Sequence, residues 1–107
     1  MQTIGPIDLK AWLDDAARPK PVVLDVREDW EVKLCRLPSS LHIPMSGIPA
    51  RARELDPDAE TVVYCHLGGR SAQVVVFLER LGFGKVYNLT GGINAWSKQV
   101  DASVATY

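Results

Sequence analysis

Cys65, Gly68, Gly69, Arg70 and Ser71 all fall within the stretch Cys65-His66-Leu67-Gly68-Gly69-Arg70-Ser71. The apolar run Thr61 to Tyr64 precedes it, and a second apolar-rich run, Ala72 to Leu81, follows. That setting predicts a short loop from a strand end into a helix start. Such a loop can turn several backbone N–H groups inward, and a ring of donors backed by a helix N-terminus binds anions. Gly68 and Gly69 can take the positive φ angles the curl needs, and they leave room for a substrate. A Cys65 thiolate in that ring gains hydrogen bonds, so its pKa is expected below the free value of about 8.5. Arg70 supplies a fixed cation with several donors, suited to an oxyanion.

A single cysteine is more often a small buried hydrophobe than a nucleophile. Here it coincides with two glycines, an arginine and a helix start. Cys65 is therefore the candidate catalytic residue. His66, Leu67, Gly68, Gly69, Arg70 and Ser71 are the candidate substrate-binding loop. Loop length then selects the chemistry. Cys65 to Arg70 is a C-x4-R pattern; cysteine phosphatases use C-x5-R around a tetrahedral phosphate. A ring one residue shorter suits one extra sulfur atom on the cysteine, which points to a persulfide carrier.

The elements that must position this loop alternate between helix-like and strand-like patterns. Asp8 is expected to cap a helix through Leu9, Trp12 and Leu13 toward Ala17, stopped by Arg18-Pro19-Lys20-Pro21. Val22 to Val26 and Thr61 to Tyr64 read as buried strands, being short, β-branched and nearly all apolar. Glu28 to Val32 suggests a brief helical turn, Ser40 to Ile43 a short strand, and Ser46 to Leu55 a helix with Pro49 in its first turn. A helix from Gly69 or Arg70 carries Val74, Val75, Phe77, Leu78 and Leu81 and stops at Gly82. Lys85 to Leu89 is a further strand, and Ile93 to about Lys98 a last helix. Strands joined by helical crossovers predict an α/β fold, a central parallel β-sheet flanked by helices on both faces. Ligands bind such sheets beyond the carboxyl ends of the strands, where Cys65 stands.

Composition narrows the function. The chain has 107 residues, 12 basic and 13 acidic, with net charge -1. Neither nucleic acid nor a membrane surface is an expected partner of so balanced a chain. No apolar run approaches the roughly 20 residues of a membrane span. The N-terminus lacks the features of a secretory signal, so the expected location is cytoplasmic. Two cysteines and two histidines, without CxxC or HxxxH spacing, predict no metal site.

The loop resembles the C-x-x-G-x-R active-site loop of single-domain rhodaneses, the thiosulfate and related sulfurtransferases. Leu24-Asp25-Val26-Arg27-Glu28 resembles that family's segment after its first core strand, and Leu37 to Pro44 its H-I-P-G-A-x-N-I-P segment. Val86 to Trp96 matches its V-x-x-L-x-G-G-x-x-A-W pattern. Cys35-Arg36-Leu37-Pro38-Ser39-Ser40 departs from the family's Gly-His-Ile-Pro-Gly-Ala, which leaves the local backbone there less defined. The resemblance implies one rhodanese domain over residues 1–107, with its core at about 3–98 and a tail at 99–107. It implies transfer of a sulfane sulfur from thiosulfate or a related small anionic donor to a thiol or cyanide, through a Cys65 persulfide and without a cofactor. A protein sulfur donor or acceptor, and a monomer or weak homodimer, are further expectations. The alternatives are a non-catalytic rhodanese-like binding module, disfavoured by the retained Cys65 and Arg70, and a cysteine phosphatase or arsenate reductase, disfavoured by loop length.

Other residues have plainer readings. Asp25 and Arg27 are expected to brace the site rather than line it. Cys35 fills a glycine position, His42 is structural, and Trp12 and Trp96 pack. Asp14-Asp15 and Glu28-Asp29 read as solvated charges. His66 is expected at the pocket rim, tuning substrate charge preference. Arg70, at a helix start, is expected to be partly exposed and to matter little for stability.

Overall fold

Five parallel strands form one sheet in the computed structural model, which describes residues 1–107. They are β1 (Gln2–Ile4), β2 (Val22–Asp25), β3 (Leu41–His42), β4 (Thr61–Tyr64) and β5 (Val86–Leu89). Their spatial order is β1-β5-β4-β2-β3. The helices are α1 (Pro6–Asp14), α2 (Asp29–Leu34), α3 (Ile48–Arg51), α4 (Gly69–Arg80) and α5 (Gly92–Gln99). None is long and apolar enough to cross a membrane.

Successive strand residues face opposite sides of a sheet, and both sides are covered here. Val23, Val62, Tyr64 and Leu89 pack with Leu9 and Trp12 of α1 and Ile93 and Trp96 of α5. Leu24, Val63 and Val86 pack with Ile48 of α3 and Val74, Val75 and Leu78 of α4. Burial on both sides is why β2 and β4 read as unbroken apolar runs instead of alternating ones. All four residues of β4 are buried, at the middle of the sheet. Tyr64 pairs in register with Asp25. The carboxyl ends of β2 and β4 therefore lie side by side, with Cys65 just beyond.

The expected elements differ from these in four places. Strand β1 was not anticipated. Gly5, not Asp8, caps α1, whose first residue is Pro6; Asp8 sits in the first turn. That helix stops at Asp14 and not near Ala17, because Asp15 turns extended and its carboxylate accepts the Ala17 N–H at 2.9 Å. The stretch Ser46–Leu55 is one turn of α-helix between two 3₁₀ turns, Met45–Gly47 and Ala52–Glu54. Leu81, expected on the buried face of α4, caps that helix and is exposed.

Candidate active site

Cys65 directly follows β4, and its Sγ sits inside the turn that leads into α4. Gly68 makes the turn with φ 112°, in the left-handed region that favours glycine. The Gly68 N–H donates to Sγ at 3.1 Å and the Ser71 N–H at 3.4 Å. The Ser71 hydroxyl lies 3.3 Å from Sγ. Burial pushes the Cys65 thiol up, but the Ser71 hydroxyl and the N–H groups of Ser71, Gly68 and Leu67 outweigh it. The net result is a thiol more acidic than an ordinary cysteine.

The loop is held from behind by the start of α5. Ile93 N–H donates to the Cys65 carbonyl at 2.9 Å, and Asn94 N–H to the His66 carbonyl at 3.1 Å. The two carbonyls are thereby turned away from the sulfur, leaving the N–H side of the loop to face it. Gly92, at φ 60°, permits this approach; a Cβ there would run into the Cys65 and His66 carbonyl oxygens. Asn88 of β5 reaches under the same loop. Its Nδ2 donates to the Gly68 carbonyl at 3.2 Å, and its Oδ1 accepts from the Ser71 hydroxyl at 2.6 Å.

Arg70 does not stand free. Its Nη1 and Nη2 donate to Glu31 Oε1 and Oε2 at 2.6 and 2.8 Å. The Arg70 side chain is 31% exposed and that of Glu31 3%. Arg70 holds the Glu31 carboxyl down at about 2 against the opposing effect of burial, helped by Tyr107 and the Glu28 N–H. In turn Glu31 raises the pKa of Arg70. Glu28 caps α2 and Glu31 reaches back to its N–H at 3.0 Å, a reciprocal capping box. Glu28 is exposed, as a solvated charge should be, and it also caps the helix. The expectation that Arg70 matters little for the fold is corrected, since its loss would strand a buried carboxylate.

Asp25 and Arg27 form a buried ion pair beneath this network. Arg27 Nη2 and Nε reach Asp25 Oδ2 and Oδ1 at 2.8 and 3.0 Å, and the Tyr64 hydroxyl donates to Asp25 Oδ2 at 2.7 Å. Arg27 also donates to the Cys35 carbonyl at 2.7 Å and to the Tyr107 hydroxyl at 3.1 Å. The Tyr107 hydroxyl donates to Glu31 at 2.5 Å, and its ring stacks on His66 at 3.9 Å. Burial, then the Glu31 carboxylate, push the Tyr107 phenol up to about 12, so it stays protonated as that donor. Tyr107 thus touches one end of the loop directly and the other through Glu31.

The remaining sequence candidates spread around this centre. Leu67 is exposed at the loop tip, and Gly69 opens α4 with free space beside it. The Cys35 sulfur lies 3.8 Å from Arg27 Nη1, and His42 Nε2 is 2.7 Å from the Arg27 carbonyl. No three His, Cys, Asp or Glu side chains converge on one point. The largest cavity, about 470 Å³, lies at the opposite end of the strands, among Leu13, Pro21, Val23, Pro38 and Trp96. No residue of the Cys65–Ser71 loop lines it. Glu31, Asn88, Gly92 and Tyr107 were not singled out in the sequence as site residues. A polar Asn88 inside an apolar strand was the clearest available signal; Tyr107 gave none.

Comparison with known proteins agrees with this picture. The Rhodanese-like domain profile matches residues 6–99. A sulfurtransferase of Allochromatium vinosum is 36% identical over 96 residues, covering 89% of this chain and 90% of that one. Rhodanese-like/PpiC domain-containing protein 12, chloroplastic, of Arabidopsis thaliana is 42% identical over 89 residues. That match covers 79% of this chain but only 30% of the plant protein. The crystal structure of a rhodanese-like domain protein from Staphylococcus aureus superposes with a TM-score of 0.86 at 30% identity, covering 100% and 99% of the two chains.

Proposed function

The chain belongs to the rhodanese-like domain family, and from that premise we propose that it is a sulfurtransferase working through a Cys65 persulfide. One observation carries the reading: Sγ at the end of the central strand, held by the N–H groups of Gly68, inside the six-residue Cys65–Arg70 loop, and of Ser71, directly after it. A nucleophilic sulfur is most useful as its thiolate, and these donors favour the thiolate without a general base.

In the first half-reaction the Cys65 thiolate attacks the outer sulfur of a donor such as thiosulfate. A Cys65 S–S bond forms, the donor's S–S bond breaks, and sulfite leaves with the electron pair. Arg70 keeps its Nε and outer N–H groups for the anion, its other two being held by Glu31. In the second half-reaction an acceptor, cyanide or a thiol, attacks the terminal sulfur. Thiocyanate or a new persulfide leaves, and the thiolate is restored. Two half-reactions on one nucleophile give ping-pong kinetics. Cys65 is buried, so the donor enters only when side chains around the loop give way. A protein donor or acceptor fits this reading as well as a small one does, and the relatives named sulfurtransferase support the class of reaction.

Intact mass after treatment with a panel of sulfur donors tests it. Wild-type and Cys35→Ser protein are expected to gain one sulfur atom, which cyanide removes as thiocyanate. Cys65→Ser, folded, is expected to gain none. Loading that persists in folded Cys65→Ser would overturn the assignment.

A further inference from the structure

Asn88 is the only buried polar side chain of β5, and a polar group there must find partners. Its amide can be oriented from the contacts themselves. Nδ2 faces the Gly68 carbonyl at 3.2 Å, an acceptor, so the reversed amide would set oxygen against oxygen. Oδ1 therefore faces the Ser71 hydroxyl at 2.6 Å and accepts from it.

A serine hydroxyl has one hydrogen to give. With that hydrogen on Asn88, the Ser71 oxygen offers only lone pairs to Sγ, 3.3 Å away. In the thiol state this is satisfactory throughout. Cys65 S–H donates to Ser71 Oγ, Ser71 O–H to Asn88 Oδ1, and Asn88 N–H to the Gly68 carbonyl. Deprotonation breaks the pattern. The thiol proton passes to water and the electron pair stays on sulfur. The Ser71 lone pairs then face an anion unless the hydroxyl turns to the sulfur. Turning strands Asn88 Oδ1 in a buried site, where an unpaired acceptor is costly.

We propose that Asn88 is a positioning residue for Cys65: it competes with the sulfur for the single Ser71 hydrogen, and so sets how readily the nucleophile gives up its proton. This rests on reading Cys65 as the nucleophile, and it makes a counterintuitive claim. Removing Asn88 frees the Ser71 hydroxyl for the thiolate and makes Cys65 more acidic. A merely structural Asn88 would do the reverse, because a loosened loop presents its N–H donors less well.

The test is the far-ultraviolet thiolate absorbance of Cys65 followed against pH, in a Cys35→Ser background, with the Cys65→Ser protein subtracted. Four proteins form a cycle: parent, Asn88→Ala, Ser71→Ala and the double variant. Asn88→Ala is expected to lower the titration midpoint by about one pH unit, the scale of one hydrogen bond to a charged group. In the Ser71→Ala background there is no hydroxyl hydrogen to compete for, so the Asn88 effect should vanish. A midpoint that stays or rises in Asn88→Ala overturns the proposal, as does an equal fall with and without Ser71. If Asn88→Ala does not melt cooperatively, Asn88→Val decides by the same criteria, since it suits a strand and accepts no hydrogen bond. This titration needs no sulfur donor. A protein that shows the shift but never loads sulfur refutes the sulfur-transfer reading alone; one that loads sulfur without the shift refutes the Asn88 proposal alone.

Discussion

Glu31→Gln removes one charge from the pair with Arg70 while keeping the size of the side chain. The Glu31 carboxylate is 3% exposed and accepts four hydrogen bonds: two from Arg70, one from Tyr107 and one from the Glu28 N–H. Arg70 is the largest reason its pKa falls from 4.5 to about 2, with burial opposing and Tyr107 assisting. A fall of about 2.5 units, at about 1.36 kcal/mol each, corresponds to about 3 kcal/mol. The folded-state value lies below the unfolded one, so this stabilisation is complete above about pH 4.5 and is lost as pH falls toward 2. A glutamine carbonyl can still accept from one Arg70 N–H, but its amide sets donors against the other. The expected cost at pH 7 is roughly 2–4 kcal/mol, near that of breaking a buried pair. Denaturant unfolding of parent and variant between pH 7 and pH 2.5 measures it, and the difference between the two cancels the other titrating groups. The gap should narrow steadily below about pH 4.5. A variant within about 0.5 kcal/mol of the parent at pH 7, the usual size of a surface substitution, would refute the reasoning. So would a gap that does not depend on pH.

Arg70→Ala leaves the Glu31 carboxylate buried without its cation and is expected to cost roughly 3–5 kcal/mol. Adding Glu31→Gln should recover part of that loss in equilibrium unfolding. Gly92→Ala forces the loop carbonyls of Cys65 and His66 away from α5; sulfur loading is expected to be lost, with the melting temperature lowered by several degrees. The alkylation rate of Cys65 against pH, in Cys35→Ser protein, is expected to have its midpoint below about 8.5, the free-thiol value. Tyr107→Ala should raise the high-pH plateau of that profile by uncovering the loop; an unchanged plateau would mean that Tyr107 does not limit access.

The parts of the fold legible in the sequence were those whose pattern is local. Val22–Asp25 and Thr61–Tyr64 announced themselves as apolar runs because both faces of each are buried. Strand β1 did not, because it has three residues, two of them exposed, and exists only by pairing with β5 more than eighty positions away. Helix α2 was seen as a turn. Its start signal is a capping box with Glu28 in the place where serine or threonine is usual, so the charges looked solvated.

The site divides along the same line. The candidate loop is contiguous from Cys65 to Ser71, which is why residue type and spacing could point to it. The states of its groups depend on residues 31, 88, 92 and 107, brought together only by the order of strands in the sheet. Arg70 illustrates the difference. Read as a free cation, it would be the main attraction for an anionic donor; paired with Glu31, the two together carry no net charge. The positive field around Sγ then comes chiefly from the Gly68 and Ser71 N–H groups and the N-terminus of the twelve-residue α4. Those contributions are fixed by the backbone and survive any change of side chain that leaves the loop folded. Cys65 should therefore keep its lowered pKa in a folded Arg70 variant, and the loss such a variant suffers should appear in donor binding and stability instead.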